Sequence, residues 1–146
     1  MDALSETMAN IARATVRSIT KSVRIACDPD RAFLYLADLS NWPAWAVINV
    51  KSTKRNSDSE WWSMVTPHGR ALMRLRPDRT HGILDHDFHD LQVKWTAYAR
   101  VIPNGTGAEF MMTFFQPPTF TDEYFDEQLR FVDFELAKLK QILEAA

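Results

Sequence analysis

The last quarter of the chain, Phe120 to Ala146, limits what the rest can fold into. Phe125, Leu129, Val132, Leu136, Leu139 and Leu143 recur at steps of four and three, which puts them on one face of a single helix. Thr119 or Thr121 can cap its start, and Asp122, Glu123, Asp126 and Glu127 suit the positive end of its dipole. An apolar stripe of that length has to be buried, so the preceding residues must build a surface that receives it.

Those residues read as a sheet. Arg17 to Ile25 alternates, with Ile19, Val23 and Ile25 on one side, and Asp28-Pro29 then gives an N-cap followed by a proline suited to a first helical turn. A short helix is expected over Asp30 to Asp38, and Ser40-Asn41 can cap a second one carrying Trp42 and Trp45. Candidate strands follow at Val47 to Lys54, Glu60 to Thr66, Gly69 to Arg76, Arg79 to Phe88, Leu91 to Ile102 and Ala108 to Gln116. Asn104-Gly105-Thr106-Gly107 is the strongest hairpin signal, and Pro117-Pro118 ends the sheet.

Tight turns decide which side chains share a face. Turns at Pro67-His68, Pro77-Asp78, His89-Asp90 and Asn104-Gly105 (or Asn104 to Gly107) place Trp62, Met64, Ala71, Met73, Leu75, Leu84, His86, Phe88, Trp95, Ala97, Ala99, Phe110, Met112 and Phe114 together. The opposite face then pairs Arg70 with Asp85 and Arg100 with Glu109, while Trp61, Leu72, Ile83 and Phe115 fall outside the apolar face. The expected architecture is α+β: a curved antiparallel sheet of about seven strands wrapped around the long C-terminal helix. Residues 15–146 form one domain in this reading, preceded by residues 1–14 as an arm or short helix in which Leu4, Met8 and Ile11 could make one turn.

Charge and motif content narrow the functions. A net charge of -2 offers no electrostatic footprint for nucleic acid or an anionic membrane, and no stretch approaches the length of a membrane span. The first ten residues lack a signal-peptide core, and Cys27 alone makes no intramolecular disulfide, so the expected location is cytoplasmic and the thiol a buried, inert one. No phosphate-binding glycine loop, cysteine pair or nucleophile elbow occurs, and no cofactor is expected. The polar run Asp85, His86, Asp87, His89 and Asp90, with His81 upstream, has metal-ligand chemistry, but His86 faces away from Asp85 and Asp87 on a strand, so no metal site is expected.

The order of elements, with Ile25 to Trp45 (IACDPDRAFLYLADLSNWPAW), Gly82 to Phe88 (GILDHDF) and Val101 to Pro117 (VIPNGTGAEFMMTFFQP), resembles the START-like or SRPBCC superfamily and its bacterial polyketide cyclase/dehydrase-like branch. The resemblance covers the chain from residue 17 onward and implies a helix-grip fold with a cavity between sheet and helix that holds a hydrophobic small molecule. It carries over no catalytic residue, because the superfamily has no fixed motif.

The expected ligand contacts are Trp45, Trp62, Met64, Met73, Leu84, His86, Phe88, Trp95, Ala97, Phe110, Met112, Phe114, Phe125, Leu129 and Val132. Along the helix, Leu136, Leu139 and Leu143 are expected to be core, and the part nearer its start is expected to touch the ligand. His86 is the best catalytic candidate, since an inward imidazole can orient a ligand or move a proton. Three functions therefore stand side by side: binding of a hydrophobic or aromatic small molecule, a cyclase/dehydrase-like enzyme using His86 as acid or base, and a protein-interaction module. A homodimer is left open.

Overall fold

The computed structural model describes residues 2–3 and 14–145, so Leu4, Met8 and Ile11 of the expected N-terminal arm lie outside the described residues. Strand β1 (Ser18–Ile25) leads into helix α1 (Pro29–Leu36), a 3-10 turn at Leu39–Asn41 and helix α2 (Trp42–Trp45). Strands β2 (Ser52–Arg55), β3 (Trp62–Thr66), β4 (Gly69–Asp78), β5 (Ile83–His89), β6 (Lys94–Asn104) and β7 (Gly107–Phe115) follow, and helix α3 (Asp122–Glu144) closes the chain. Every strand pair is antiparallel, in the order β1-β7-β6-β5-β4-β3-β2. The short helices thus connect the two edges of one sheet, and no helix among the described residues is long and apolar enough to cross a membrane.

Local chemistry sets the helix ends. The Asp28 carboxylate accepts from the Asp30 and Arg31 amides at the start of α1, and the Thr121 hydroxyl accepts from the Tyr124 amide at the start of α3. At the far end of α3, Arg31 donates to the Leu143 carbonyl and Lys140 to the Arg24 carbonyl, which holds this end against α1 and β1.

The face assignment from the sequence holds. Met64, Ala71, Met73, Leu84, His86, Phe88, Ala97, Ala99, Phe110 and Met112 are all buried, while Leu72, Tyr98 and Phe115 are exposed on the other side. Leu136, Leu139 and Leu143 of α3 join Ile25, Leu84 and Phe110 in one core.

The turns, however, differ from expectation in two hairpins. Pro67-His68 is a turn as foreseen, with Thr66 opposite Gly69, and the Asn104 to Gly107 alternative has the observed register, with Pro103 opposite Ala108. Asp78 pairs with Ile83 and His89 with Lys94, so the other two turns are Arg79–Gly82 and Asp90–Val93. Each register moves by an even number of residues or none, so the faces survive and the partners change. Arg70 lies opposite Val65 and Asp85 opposite Arg76, and Arg100 lies opposite Met111, in place of the two expected charge pairs.

Pro77 misled as a turn signal because it sits inside β4. Beyond Met73 that strand has outrun β3 and become an edge, where a missing N–H is tolerated. The actual turn needs Gly82, whose φ is +68° and where a Cβ would lie 2.1 Å from the Val101 carbonyl oxygen.

The segment expected as a strand over Val47 to Lys54 is a strand only from Ser52. The Glu135 carboxylate of α3 takes the Ile48 and Asn49 amides at 3.0 and 2.9 Å, which draws this stretch toward the helix and away from a ladder.

On the outer face Asp87 organises the middle of the sheet. It accepts from Thr96 Oγ1 (2.6 Å), from Arg74 Nε and Nη2 (3.1 and 2.9 Å) and from Arg76 Nη2 (3.1 Å). Burial pushes its carboxyl pKa up, but the Thr96, Arg74 and Arg76 bonds outweigh that and hold it below the usual value. The stabilisation it gives is therefore present above the unfolded aspartate pKa of about 3.9 and lost as pH falls through the lower folded value. Asp87→Asn should cost about 1–3 kcal/mol at pH 7 and flatten the acid limb of stability. Urea unfolding at pH 7 and pH 3 checks this, and an unchanged midpoint at pH 7 counts against it.

Candidate functional site

The apolar stripe of α3 is longer than the core that covers it. Between the first half of α3 and the inner face of the sheet lies a cavity of about 730 Å³. Met64, Met73, His86, Phe88, Trp95, Met112 and Phe114 line it from the sheet, Phe125, Leu129, Val132 and Glu135 from α3, and Trp42 and Trp45 from α2. Phe88 and Trp95 stack across their strands at 4.8 Å between ring centroids, which stiffens one wall.

Of the expected contacts, Trp62, Leu84, Ala97 and Phe110 do not line this space. Leu84 and Phe110 point to the same side of the sheet but are sealed in the core, and the Ala97 methyl is wholly covered. Trp62, opposite Met73 at the start of β3, packs half-buried against the core's flank. Facing inward is therefore not the same as facing the cavity, because the inner face extends beyond it.

Three of the lining residues that carry polar atoms are buried, while Asn49, Gln92, Thr96 and Gln128 are more exposed. His86 is buried, with its ring edge-on to Trp42 (5.0 Å) and Trp95 (6.1 Å). Its Nδ1 lies 3.0 Å from the Leu84 carbonyl oxygen, which can only accept, so Nδ1 carries the proton and Nε2 is the acceptor. Burial lowers its pKa, opposed by the Leu84 bond and by the Asp85 and Asp87 charges, so the neutral imidazole is favoured. Glu135 is the second group: burial raises its carboxyl pKa, while its bonds to Ile48 and Asn49 pull the other way. Trp45 is the third, an indole whose Nε1 is buried without a partner.

At the mouth, His68 Nε2 and the Tyr124 hydroxyl meet at 2.9 Å, joining the β3–β4 turn to the first turn of α3. Burial, then the Glu127 and Asp90 charges, raise the Tyr124 phenol pKa, so this hydroxyl keeps its proton. The candidate metal residues disperse. Asp85 accepts from the Ala99 amide, Asp90 from the Gln92 and Val93 amides, and His81 pairs with Asp78, while His89 stacks on Trp61. Among the described residues no group of three His, Cys, Asp or Glu side chains is placed to hold a metal.

No family model and no curated protein matches the sequence. Solved structures do match in shape. An uncharacterized protein from Bacillus thuringiensis superposes with a TM-score of 0.73 at 13% identity, covering 87% of this chain and 98% of that one. A START superfamily protein from Mycobacterium smegmatis gives 0.64 at 12% identity, covering 88% and 97%. Ara h 8.0201 gives 0.63 at 11% identity, covering 90% and 99%.

The chain has a START-like fold. At these identities the likeness concerns architecture alone, so the chemistry of the site has to be argued from the residues themselves.

Within the START-like fold, Cys27 stands away from the cavity. Cys27 is half-buried beside Asp28, and burial raises its thiol pKa and keeps it protonated. Glu135, His68 and Tyr124 are among the site residues that sequence reasoning missed. Glu135 was legible, since a carboxylate three residues after Val132 falls beside the apolar stripe. His68 and Tyr124 were not, because nothing local links residues so far apart.

The cavity divides α3 energetically. Leu139 is closed on all sides by core, whereas Leu129 borders empty space and has fewer partners to lose. Leu139→Ala should cost about 3–5 kcal/mol and Leu129→Ala about 2 kcal/mol, near the lower end of such losses. Chemical denaturation of both variants checks the order, and equal losses would show that the cavity does not persist in solution.

Proposed function

We propose that the protein binds a hydrophobic or aromatic small molecule in the cavity between its sheet and α3. The observation that carries this reading is the cavity itself, large enough for a drug-sized molecule and presenting mainly apolar surface, to which tryptophan, phenylalanine and methionine side chains contribute. Such a void leaves apolar atoms without contacts, which a bound apolar molecule would restore. Ligand contacts are assigned to Trp45, Met64, Met73, His86, Phe88, Trp95, Met112, Phe114, Phe125, Leu129 and Val132.

A cyclase/dehydrase-like reaction with His86 as base is the second reading, favoured by the neutral imidazole with an open Nε2. Against it, Nδ1 faces a carbonyl rather than a carboxylate, so the imidazolium formed on taking a proton would be poorly stabilised in its buried site. An orienting role suits that geometry better.

The cavity reading is tested with Nile red, a neutral apolar fluorophore, in the wild type and in Leu129→Trp and Met112→Trp. These substitutions grow into the space from opposite walls. Saturable one-to-one binding is expected in the wild type, weakened about tenfold in each variant, equivalent to about 1.4 kcal/mol. Folded variants that bind the dye as the wild type does would place it elsewhere and sink the proposal.

A further inference from the structure

The cavity is one-sided in charge. No lysine or arginine is among the described residues that line it, whereas two acids are, Asp90 and Glu135. Asp90 belongs to the turn between β5 and β6 at the mouth, close enough to Tyr124 for its charge to raise that phenol's pKa, as burial and the charge of Glu127 also do. Glu135 lies further in, about 16 Å along α3 from Tyr124. Asp90 Oδ1 accepts from the Gln92 and Val93 amides, and Glu135 accepts from the Ile48 and Asn49 amides and Asn49 Nδ2. All of these donors are uncharged, so they position the carboxylates without cancelling their charge. Lys51 is the last and least of the influences on Glu135, and its Nζ donates instead to the Val47 carbonyl.

The rest of the lining does not offset the two acids. Ring faces such as those of Phe88, Trp95 and Phe125 carry negative π density, which attracts a cation and repels an anion. The positive end of the α3 dipole, at the mouth, is already met by Asp122 and Glu123 in its first turn. Burial keeps His86 neutral, and His68 at the rim bonds to the Tyr124 hydroxyl. An entering carboxylate would lose water and meet no lysine or arginine among the described lining residues.

We infer that the cavity discriminates by charge, taking aromatic molecules that bear a protonated amine in preference to the matching carboxylates, and that the field of Glu135 and Asp90 sets this preference. Charge acts over several ångströms in a water-poor space, so no contact between the ligand and either carboxylate is required. The inference rests on the cavity being a binding site, and the test separates the two. It uses 2-(aminomethyl)naphthalene and 2-naphthoate, which share a ring system and differ in sign at pH 7. Each displaces Nile red from the wild type, Glu135→Gln and Asp90→Asn at low salt, and the quantity read is the ratio of their affinities. A general loss of affinity in a variant cancels in that ratio.

Both substitutions remove a charge and keep the shape. Glutamine retains an oxygen for the Ile48 and Asn49 amides, and asparagine retains one for the Gln92 and Val93 amides. In the wild type the amine should bind at least about tenfold more tightly than the carboxylate, and each variant should lower that ratio about threefold. Should circular dichroism show Glu135→Gln unfolded, Asp90→Asn and the wild type still decide. A wild-type ratio near one or in favour of 2-naphthoate, a ratio that neither folded variant lowers, or bound dye that neither compound displaces overturns the charge inference and leaves the cavity reading standing. Failure of Nile red itself to bind overturns both.

Discussion

The architecture depends on covering one apolar stripe. Helix α3 presents Phe125, Leu129, Val132, Leu136, Leu139 and Leu143 on one side, and the sheet covers them unequally. Around Leu136, Leu139 and Leu143 the contact is complete and the sheet contributes small or branched residues such as Ala99, Ala108 and Ile25. Around Phe125 and Leu129 the facing side chains are large but stand apart, and a void remains between them. One interaction thus yields both the stability of the domain and the space it encloses.

The sequence made the face of each strand legible but not its partners. Alternation has a period of two, so any even shift of register keeps the same side chains inside, and the turns at Arg79–Gly82 and Asp90–Val93 shift by even steps. Met73, Trp95 and Met112 were therefore placed inward correctly even though two turn positions were wrong. Misplaced turns did cost the charge pairs, since Asp85 was matched with Arg70 when Arg76 lies opposite. The boundary of the void was beyond reach for a different reason. Leu84 and His86 are two residues apart on one face and equally buried, yet only His86 meets the cavity.

Polar groups inside the domain follow the same logic of position over identity. Asp87 and Glu135 are both buried carboxylates, but Asp87 faces two guanidinium groups and a hydroxyl, whereas Glu135 meets only neutral donors. Their pKa values are accordingly pushed in opposite directions. Asp87 fastens β4, β5 and β6 to one another, and Glu135 fastens α3 to the connection between α2 and β2. Both carboxylates are thus taken up by bonds within the domain.

The hydrogen bond between His68 and Tyr124 takes on a mechanical meaning beside the uneven anchoring of α3. At its far end the helix is gripped by core leucines, by Arg31 on the Leu143 carbonyl and by Lys140 on the Arg24 carbonyl. At its near end it is held by exposed contacts, Arg17 with Asp126 and Tyr124 with His68, which contribute little individually because water competes for them. The helix is in effect a lever with its fulcrum in the core and its free arm over the void. Displacing that arm would break surface bonds and uncover Phe125 and Leu129, while the core leucines keep the far end in place.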